Sequence, residues 1–324
     1  MADQLPNNDQ LMPEGLGDMA TLVTGGSGYI GRQLVKGLSQ LGQTVVCMYH
    51  HRLPEPMSHV YPVCSDMSSA ELLAAPLRGV KTVVHLAWEG GLVGPSAPLN
   101  HRAPGQWGQT KNLKSVANLI EAMEKAGTRR IVFLSALGAT RKAQTPYLQE
   151  KYLAELAILN SKIPEKIILR SAICCAGLGV HDRFVRSIVN VMKLPMVYPV
   201  PSANQDIAPV VLRDLVQTTI NVCKQDDHIG SGILELSGSE HFRVEELFKV
   251  VKDKHARGAK MPLRGLLGRA LLPLLERDGN KARSEQQRLH HYLELDSTRS
   301  ETIATKNKLA EAIPSDRLSL RDSH

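Results

Sequence analysis

Residues 20–31 read Ala-Thr-Leu-Val-Thr-Gly-Gly-Ser-Gly-Tyr-Ile-Gly, an apolar strand-like run that passes into a glycine turn and then into a helical pattern. Three glycines of that turn have separate uses. Gly25 permits a tight bend, Gly28 lets backbone approach a pyrophosphate with no Cβ between them, and Gly31 lets helix pack closely on strand. The helix start adds N–H groups and the positive end of the helix dipole, both of which suit phosphate. A dinucleotide is therefore expected on the loop from Thr24 to Gly31, with Ser27, Tyr29 and Ile30 against it. A second constellation lies at Tyr147 and Lys151. Thr145 and Pro146 have the residue types of an N-cap and a first helical position, so these two side chains stand four apart on one face of the helix that follows.

The second apolar run, 44–48, leads into Tyr49-His50-His51-Arg52, and no acid appears before Glu55. Folds that hold NAD place a carboxylate at this point for the ribose 2′-hydroxyl. A carboxylate would repel a 2′-phosphate, whereas His50 or Arg52 would pair with one. NADP(H) is therefore expected over NAD(H). The adjacent pairs His50-His51 and His290-His291 are not read as metal ligands, because neighbours on a regular element point apart; no metal site is expected. The sequence has no G-x-S-x-G elbow and no Walker A motif. Trp88, in Trp88-Glu89-Gly90-Gly91, follows the fourth apolar run at the edge where a sheet of this kind takes its ligand. It is open to two readings, a pocket wall or a semi-buried anchor.

A frame must hold these residues. Short apolar runs at 20–24, 44–48, 60–64, 82–86, 130–135 and 166–170 alternate with helical patterns at 29–41, 69–77, 109–126 and 147–161. Alternation of this kind gives βαβ units, hence an α/β fold: a doubly wound parallel sheet of the Rossmann type with helices on both faces and right-handed crossovers. Beyond residue 170 the pattern loosens into a loop at 176–180, a helix at 183–192, irregular Pro-rich chain at 195–209, a helix at 213–224, a strand at 232–236 and a helix from Val244. The expected organisation is a loose tail over 1–18, a dinucleotide-binding domain over 19–240 with a lobe insertion near 171–205, and a smaller, partly helical C-terminal lobe with a polar tail over 241–324. Substrate is expected between sheet and lobe.

Composition narrows the function classes. The 324 residues are 43% hydrophobic and carry a formal net charge of +7, with a sequence pI near 9.1. Such a charge raises the question of nucleic acid, but only 4% of residues are aromatic and no stacking motif is present. No nucleic-acid partner is expected, and a cofactor phosphate or an anionic membrane surface accounts for the charge. No uninterrupted apolar run is long enough to span a bilayer. Residues 1–18 lack the basic and apolar regions of a secretory signal and the arginines of a transit peptide, so a cytoplasmic location is expected. Residues 261–277 are largely apolar with Arg264, Arg269 and Arg277 spaced among them. They suit a lid packed on the body or, alternatively, peripheral contact with a membrane or protein complex, arginines at the headgroups. The five cysteines form no C-x-x-C pair and no zinc spacing, and read as small buried hydrophobes in a reducing compartment.

The T-G-x-x-G-x-x-G spacing together with Tyr147-x-x-x-Lys151 resembles the short-chain dehydrogenase/reductase superfamily, in the extended and atypical branches that include nucleotide-sugar epimerases and dehydratases. The likeness covers roughly 20–248. It implies that Tyr147 exchanges a proton with the substrate oxygen as hydride moves, that Lys151 lowers the tyrosine pKa and holds ribose hydroxyls, and that Ser135 is the active-site serine. It also places Leu86 and Ala87 by the nicotinamide-side ribose, Asp66 at the adenine amino group, Met67 beside it against the cofactor, and Asn112 at the family's helix asparagine. Relatives carry a Ser or Thr at a defined place after the fifth strand. Within 134–139 Ser135 is the only hydroxyl and it ends the strand, so the triad is incomplete or shifted. A narrower likeness, through Tyr147-Leu148, Lys151, Glu155, Ile168-Leu169-Arg170 and Asp182-Arg183-Phe184, with Ser171 where proline is usual, is to the atypical subgroup around the nucleotide-binding accessory subunit of respiratory complex I and its bacterial relatives. Three functions stay open: an oxidoreductase or epimerase-type enzyme on an unidentified small molecule, a structural or assembly protein that holds NADP(H), and a sensor of NADP(H) redox state.

Overall fold

β-branched and aliphatic runs that must be buried on both sides form parallel strands, and the amphipathic stretches between them form the covering helices. The computed structural model describes residues 20–89, 110–143, 145–176, 183–192, 199–200, 206–224, 231–238, 241–255 and 263–264. In chain order it runs β1 (Ala20–Thr24), α1 (Tyr29–Gln40), β2 (Val45–Tyr49), β3 (Val60–Cys64), α2 (Glu71–Ala74), β4 (Val80–His85), α3 (Lys111–Ala126), β5 (Arg130–Ala136), α4 (Pro146–Leu159) and β6 (Glu165–Ser171). There follow β7 (Cys174–Cys175), α5 (Arg183–Met192), β8 (Pro199–Val200), β9 (Asp206–Ile207), β10 (Val210–Val211) and α6 (Leu212–Lys224). β11 (Gly232–Leu236), β12 (Phe242–Arg243), α7 (Val244–His255) and β13 (Leu263–Arg264) complete the described chain.

Seven strands form one sheet in the order β11-β6-β5-β4-β1-β2-β3, every pairing parallel. Successive residues of each strand serve opposite faces. Leu22, Val46, Val83 and Phe133 meet Leu119 and Met123 of α3 and Ala154 and Ile158 of α4 on one face. Val23, Val45, Val84 and Val132 meet Leu34 and Leu38 of α1 and Leu215 and Ile220 of α6 on the other. This is the doubly wound parallel sheet expected from the sequence. The strand order reverses between β1 and β4, which opens a crevice at the carboxyl ends of those strands, the ligand position of such sheets.

A third core builds the lobe beside that crevice. Phe184, Val185, Ile188 and Val189 of α5 pack with Val244, Leu247, Phe248 and Val251 of α7, and Tyr147 lies against them. Short ladders tie the lobe down: β7 with β10, β9 with β12, and β8 with β13. These two-residue ladders carry no periodicity and were not expected from the sequence. The helix expected over 69–77 is confined to Glu71–Ala74, because Pro76 has no N–H to continue it. The tail 1–18, residues 90–109, the stretch 177–182, the apolar segment 261–277 apart from Leu263–Arg264, and His290-His291 lie outside the described residues. Among the described residues no helix is long and apolar enough to cross a membrane.

Candidate functional site

The turn between β1 and α1 is built so tightly that only glycine fits three of its positions. Gly25 has φ +67, and a Cβ on it would stand 2.9 Å from the Ala87 nitrogen. A Cβ on Gly31 would overlap the Gly25 carbonyl oxygen, and one on Gly26 would overlap Cys47 Sγ. The role of Gly26 was missed in the sequence, since Cys47 reaches it only through the pairing of β1 with β2. Helix α1 starts after Gly28 with no side-chain cap and no acid in its first turn, so no carboxylate competes for the N–H groups there. A backbone cradle that any Cβ would fill, at an uncapped helix start, fits a pyrophosphate.

A cleft of about 880 Å³ runs along this carboxyl edge. Gly25, Ser27, Gly28, Tyr29, Ile30 and Gly31 line it on the turn side. His50, Arg52, Asp66 and Met67 line it beyond β2 and β3, and Leu86, Ala87 and Asn112 beyond β4. Thr24 is absent from the lining. It is fully buried, where its hydroxyl shares a 2.7 Å hydrogen bond with His85 Nδ1 and accepts from the N–H groups of Leu86 and Ala87 at 3.1 and 3.2 Å. Thr24 thus fastens the end of β1 to the end of β4. Asn112 works similarly while lining the cleft: its oxygen accepts from Glu89 N at 2.8 Å, and its amide donates to the Glu89 carbonyl at 3.2 Å and to Glu150 at 3.1 Å.

At the β2 end, His50 and His51 have ring centroids 3.7 Å apart. They lie together because both sit in a bend after β2, outside regular strand, so the argument from alternating side chains does not apply to them. Asp66 is held below the ordinary carboxylate range, first by hydrogen bonds from Ser68 and also by the charges of His50 and Lys111. Met67 takes a left-handed φ of 56°, and Asn118 donates to its carbonyl at 3.0 Å. A non-glycine residue in that conformation is held there by its surroundings.

At the lobe end the N-terminus of α4 supplies Tyr147 and Lys151. Thr145 caps the helix by accepting from Leu148 N at 3.3 Å, and Pro146 opens it, as their residue types suggest. Lys151 is buried. Its Nζ donates to the Leu134 carbonyl at 2.9 Å and lies 3.8 Å from the centroid of the Trp88 ring. Burial pushes its pKa down to about 7, while Glu155 and Glu150 act the other way. Trp88 also lies edge-on to Tyr147 at 6.4 Å and 6.0 Å from Phe133. Both sequence readings of Trp88 therefore meet in one ring, which lines the cleft and anchors on Phe133 and Lys151.

Ser135 lines the cleft, but its hydroxyl donates to Glu155. Glu155 is buried and pairs with Arg170 at 2.7 Å, and Arg170 reaches Glu235 at 3.4 Å. Ala136, the next residue along the cleft, has no hydroxyl. Beyond it the wall consists of Ser171, Cys174 and, on α5, Arg186, Ser187 and Asn190. Sequence reasoning did not find these α5 residues; the one available signal was their spacing on the polar face of an apolar helix.

The chain can now be set beside known proteins. Residues 21–188 match the model of the NAD dependent epimerase/dehydratase family. NADH dehydrogenase [ubiquinone] 1 alpha subcomplex subunit 9 of Arabidopsis thaliana is 24% identical over 248 residues, which cover 71% of this chain and 56% of that protein. The 2-alkyl-3-oxoalkanoate reductase of Stenotrophomonas maltophilia is 27% identical over 160 residues, 44% of this chain and 46% of the enzyme. The chain thus spans about half the length of these curated relatives. Among solved structures, UDP-glucose 4-epimerase of Thermotoga maritima, with UDP-glucose, is similar with a TM-score of 0.57 at 18% identity, over 76% of this chain and 85% of that one. The Bordetella bronchiseptica enzyme WbmG, with NAD and UDP, gives 0.57 at 17% identity over 84% and 93%. At such identities these structures share the fold. The glycine cradle, the seven-stranded parallel sheet and the match from residue 21 to residue 188 agree, and the chain belongs to the NAD-dependent epimerase/dehydratase family.

Proposed function

We propose that this protein binds NADP(H) in the cleft and couples hydride transfer at a substrate carbon to proton transfer by Tyr147. The observation that carries the reading is that the glycine cradle, the basic end of β2 and the Tyr147–Lys151 pair all line one cleft. The bound nicotinamide supplies or accepts the hydride. Tyr147 exchanges a proton with the substrate oxygen. Lys151, when charged, stabilises the phenolate form of Tyr147, and Glu155 and Glu150 favour that charged state against the cost of burial. His50 and Arg52 pair with the 2′-phosphate. Reduction of an oxo group or epimerisation at an oxygen-bearing carbon is what the names of the reductase and epimerase relatives describe, and the proposed reaction belongs to that class.

Two measurements test the reading. NADPH should bind at least tenfold more tightly than NADH, and Arg52→Glu should reduce or reverse the preference; tighter NADH binding to the wild type would sink it. Tyr147→Phe should abolish most turnover of an oxo-acid or sugar-nucleotide panel while nucleotide affinity stays within twofold.

A second reading has its own support. Ser135 spends its hydroxyl on Glu155 and Ala136 follows it, so in 134–139 no other hydroxyl can orient a substrate oxygen. That favours a protein that holds NADP(H) as a structural element, as an assembly factor or as a redox sensor, with 261–277 as its contact with a membrane or partner. Nucleotide that copurifies and does not exchange over hours would select it, as would flotation with anionic liposomes that Leu271→Asp abolishes.

A further inference from the structure

The two ends of the cleft differ in charge. Its carboxylates, Asp66 and Glu89, lie at the nucleotide end, where Ser68 donates to Asp66 at 2.9 Å and Lys111 pairs with Glu89 at 2.9 Å. Among the described residues, the lobe-side wall contains Arg186 and no carboxylate. Helix α5 explains why Arg186 faces this way. It buries Phe184, Val185, Ile188, Val189 and Met192 in the lobe core. Arg186 and Asn190, four apart, are left on the opposite side with Ser187 beside them. Arg186 is exposed, Asn190 half-buried and Ser187 buried, and all three line the cleft with Tyr147.

A guanidinium flanked by an amide and a hydroxyl on one helical face is a donor array for planar or tetrahedral oxyanions. Arginine gives carboxylate and phosphate two parallel hydrogen bonds, and asparagine and serine supply further donors. The surrounding wall, with Ala172, Ile173 and Cys174, adds no acidic side chain to compete for these donors.

We propose that Arg186, with Asn190 and Ser187, anchors an anionic oxygen group of the substrate, a carboxylate or a phosphate, at the end remote from the atom that reacts at Tyr147. This rests on the reading that the cleft works on a substrate at Tyr147. It adds a substrate class: small anionic oxo or hydroxy compounds, in preference to neutral ketones or alcohols. It also divides the cations of the cleft, since His50 and Arg52 serve the nucleotide while Arg186 serves the substrate.

The test uses the full chain loaded with NADP+, titrated calorimetrically with acetoacetate, its neutral methyl ester and UDP. At least one anion should bind tenfold or more tightly than the ester. Acetoacetate as the tighter ligand identifies a carboxylate anchor, and UDP a phosphate anchor. Arg186→Gln should erase that preference without changing ester affinity, Arg186→Lys should retain part of it, and NADPH affinity should stay within twofold in both. Anions that bind no better than the ester, or an unchanged preference in Arg186→Gln, overturn the proposal. A parallel loss of NADPH affinity in Arg186→Gln assigns the arginine to the nucleotide and overturns it as well. A wild-type chain that fails to bind NADPH removes the nucleotide reading alone, and the same titrations without nucleotide still decide the anchor.

Discussion

Replacing Lys151 by methionine should flatten the pH dependence of folding stability on the alkaline side of neutrality. The folded protein holds this ammonium at a pKa of about 7 against 10.5 for a free side chain, chiefly through burial. Between those values the unfolded chain binds the proton and the folded chain does not, so stability rises with pH across that window. Below about 7 the full penalty of a buried charge is present, and above 10.5 it is gone. A gap of this size corresponds to roughly 5 kcal/mol in total, or about 1.4 kcal/mol per pH step at most. Methionine keeps the stem and carries no charge. It also gives up the hydrogen bond to the Leu134 carbonyl, a cost of about 1 kcal/mol that does not vary with pH. Urea unfolding midpoints at pH 6.5, 7.5, 8.5 and 9.5 should therefore climb for the wild type and stay nearly level for Lys151→Met, the curves converging or crossing at low pH where the wild type is weakest. Parallel curves would refute the reasoning, because they would mean that Lys151 stays charged throughout.

Other perturbations follow from the same geometry. Gly31→Ala places a methyl group on the Gly25 carbonyl, so the cradle must open; NADPH affinity should fall tenfold or more, and a dissociation constant within twofold of the wild type would contradict this. Glu155→Gln removes the buried charge that pairs with Arg170 at 2.7 Å, leaving Glu235 at 3.4 Å as a carboxylate partner, and should cost about 3 kcal/mol in denaturant unfolding. His85 is fully buried and held neutral, its pKa pushed down to about 3 by burial with a smaller contribution from Lys151. The unfolded chain takes up the proton first, so the stability due to His85 should fall as pH drops from about 6.5 towards 3, and His85→Asn should remove that part of the acid sensitivity. The thiol of Cys47, pushed up to about 12 by burial, should resist alkylation by iodoacetamide in the folded protein and react on unfolding.

The sheet was legible in the sequence because strands buried on both faces must be written in continuous apolar residues. β1, β3 and β11 begin and end where the hydrophobic runs do. The helix after β3 was less legible, because the apolar spacing of 69–77 continues past Pro76 while the helix ends at Ala74. Site residues divide the same way. The glycines could be read since each answers a backbone requirement that only glycine meets. Thr24 could not be read fully: its hydroxyl is spent on His85, Leu86 and Ala87, some sixty residues further along the chain. Ser135 was legible as a hydroxyl at a strand end, but its commitment to Glu155 depends on how α4 lies across β5. Arg186 and Asn190 gave almost no signal, because the polar face of a helix looks the same in sequence whether it faces solvent or a cleft.

The return of the chain to the sheet bears on how the molecule assembles. β11 pairs with β6 residue for residue, Gly232 with Ile167 through Leu236 with Ser171, after a detour that includes α5, the short strands β7 to β10 and α6. Until that detour closes, β6 is an open edge with a row of unsatisfied N–H and C=O groups, and Arg170 lacks Glu235. Closing a loop of this length must precede the reward of the pairing, which makes the step slow relative to the neighbouring hairpin-free βαβ units. A nascent chain that has emerged only to β6 therefore presents a sticky strand to its neighbours. This stretch of chain does double duty: it builds one wall of the cleft and covers β6 with β11, which becomes the edge strand of the finished sheet.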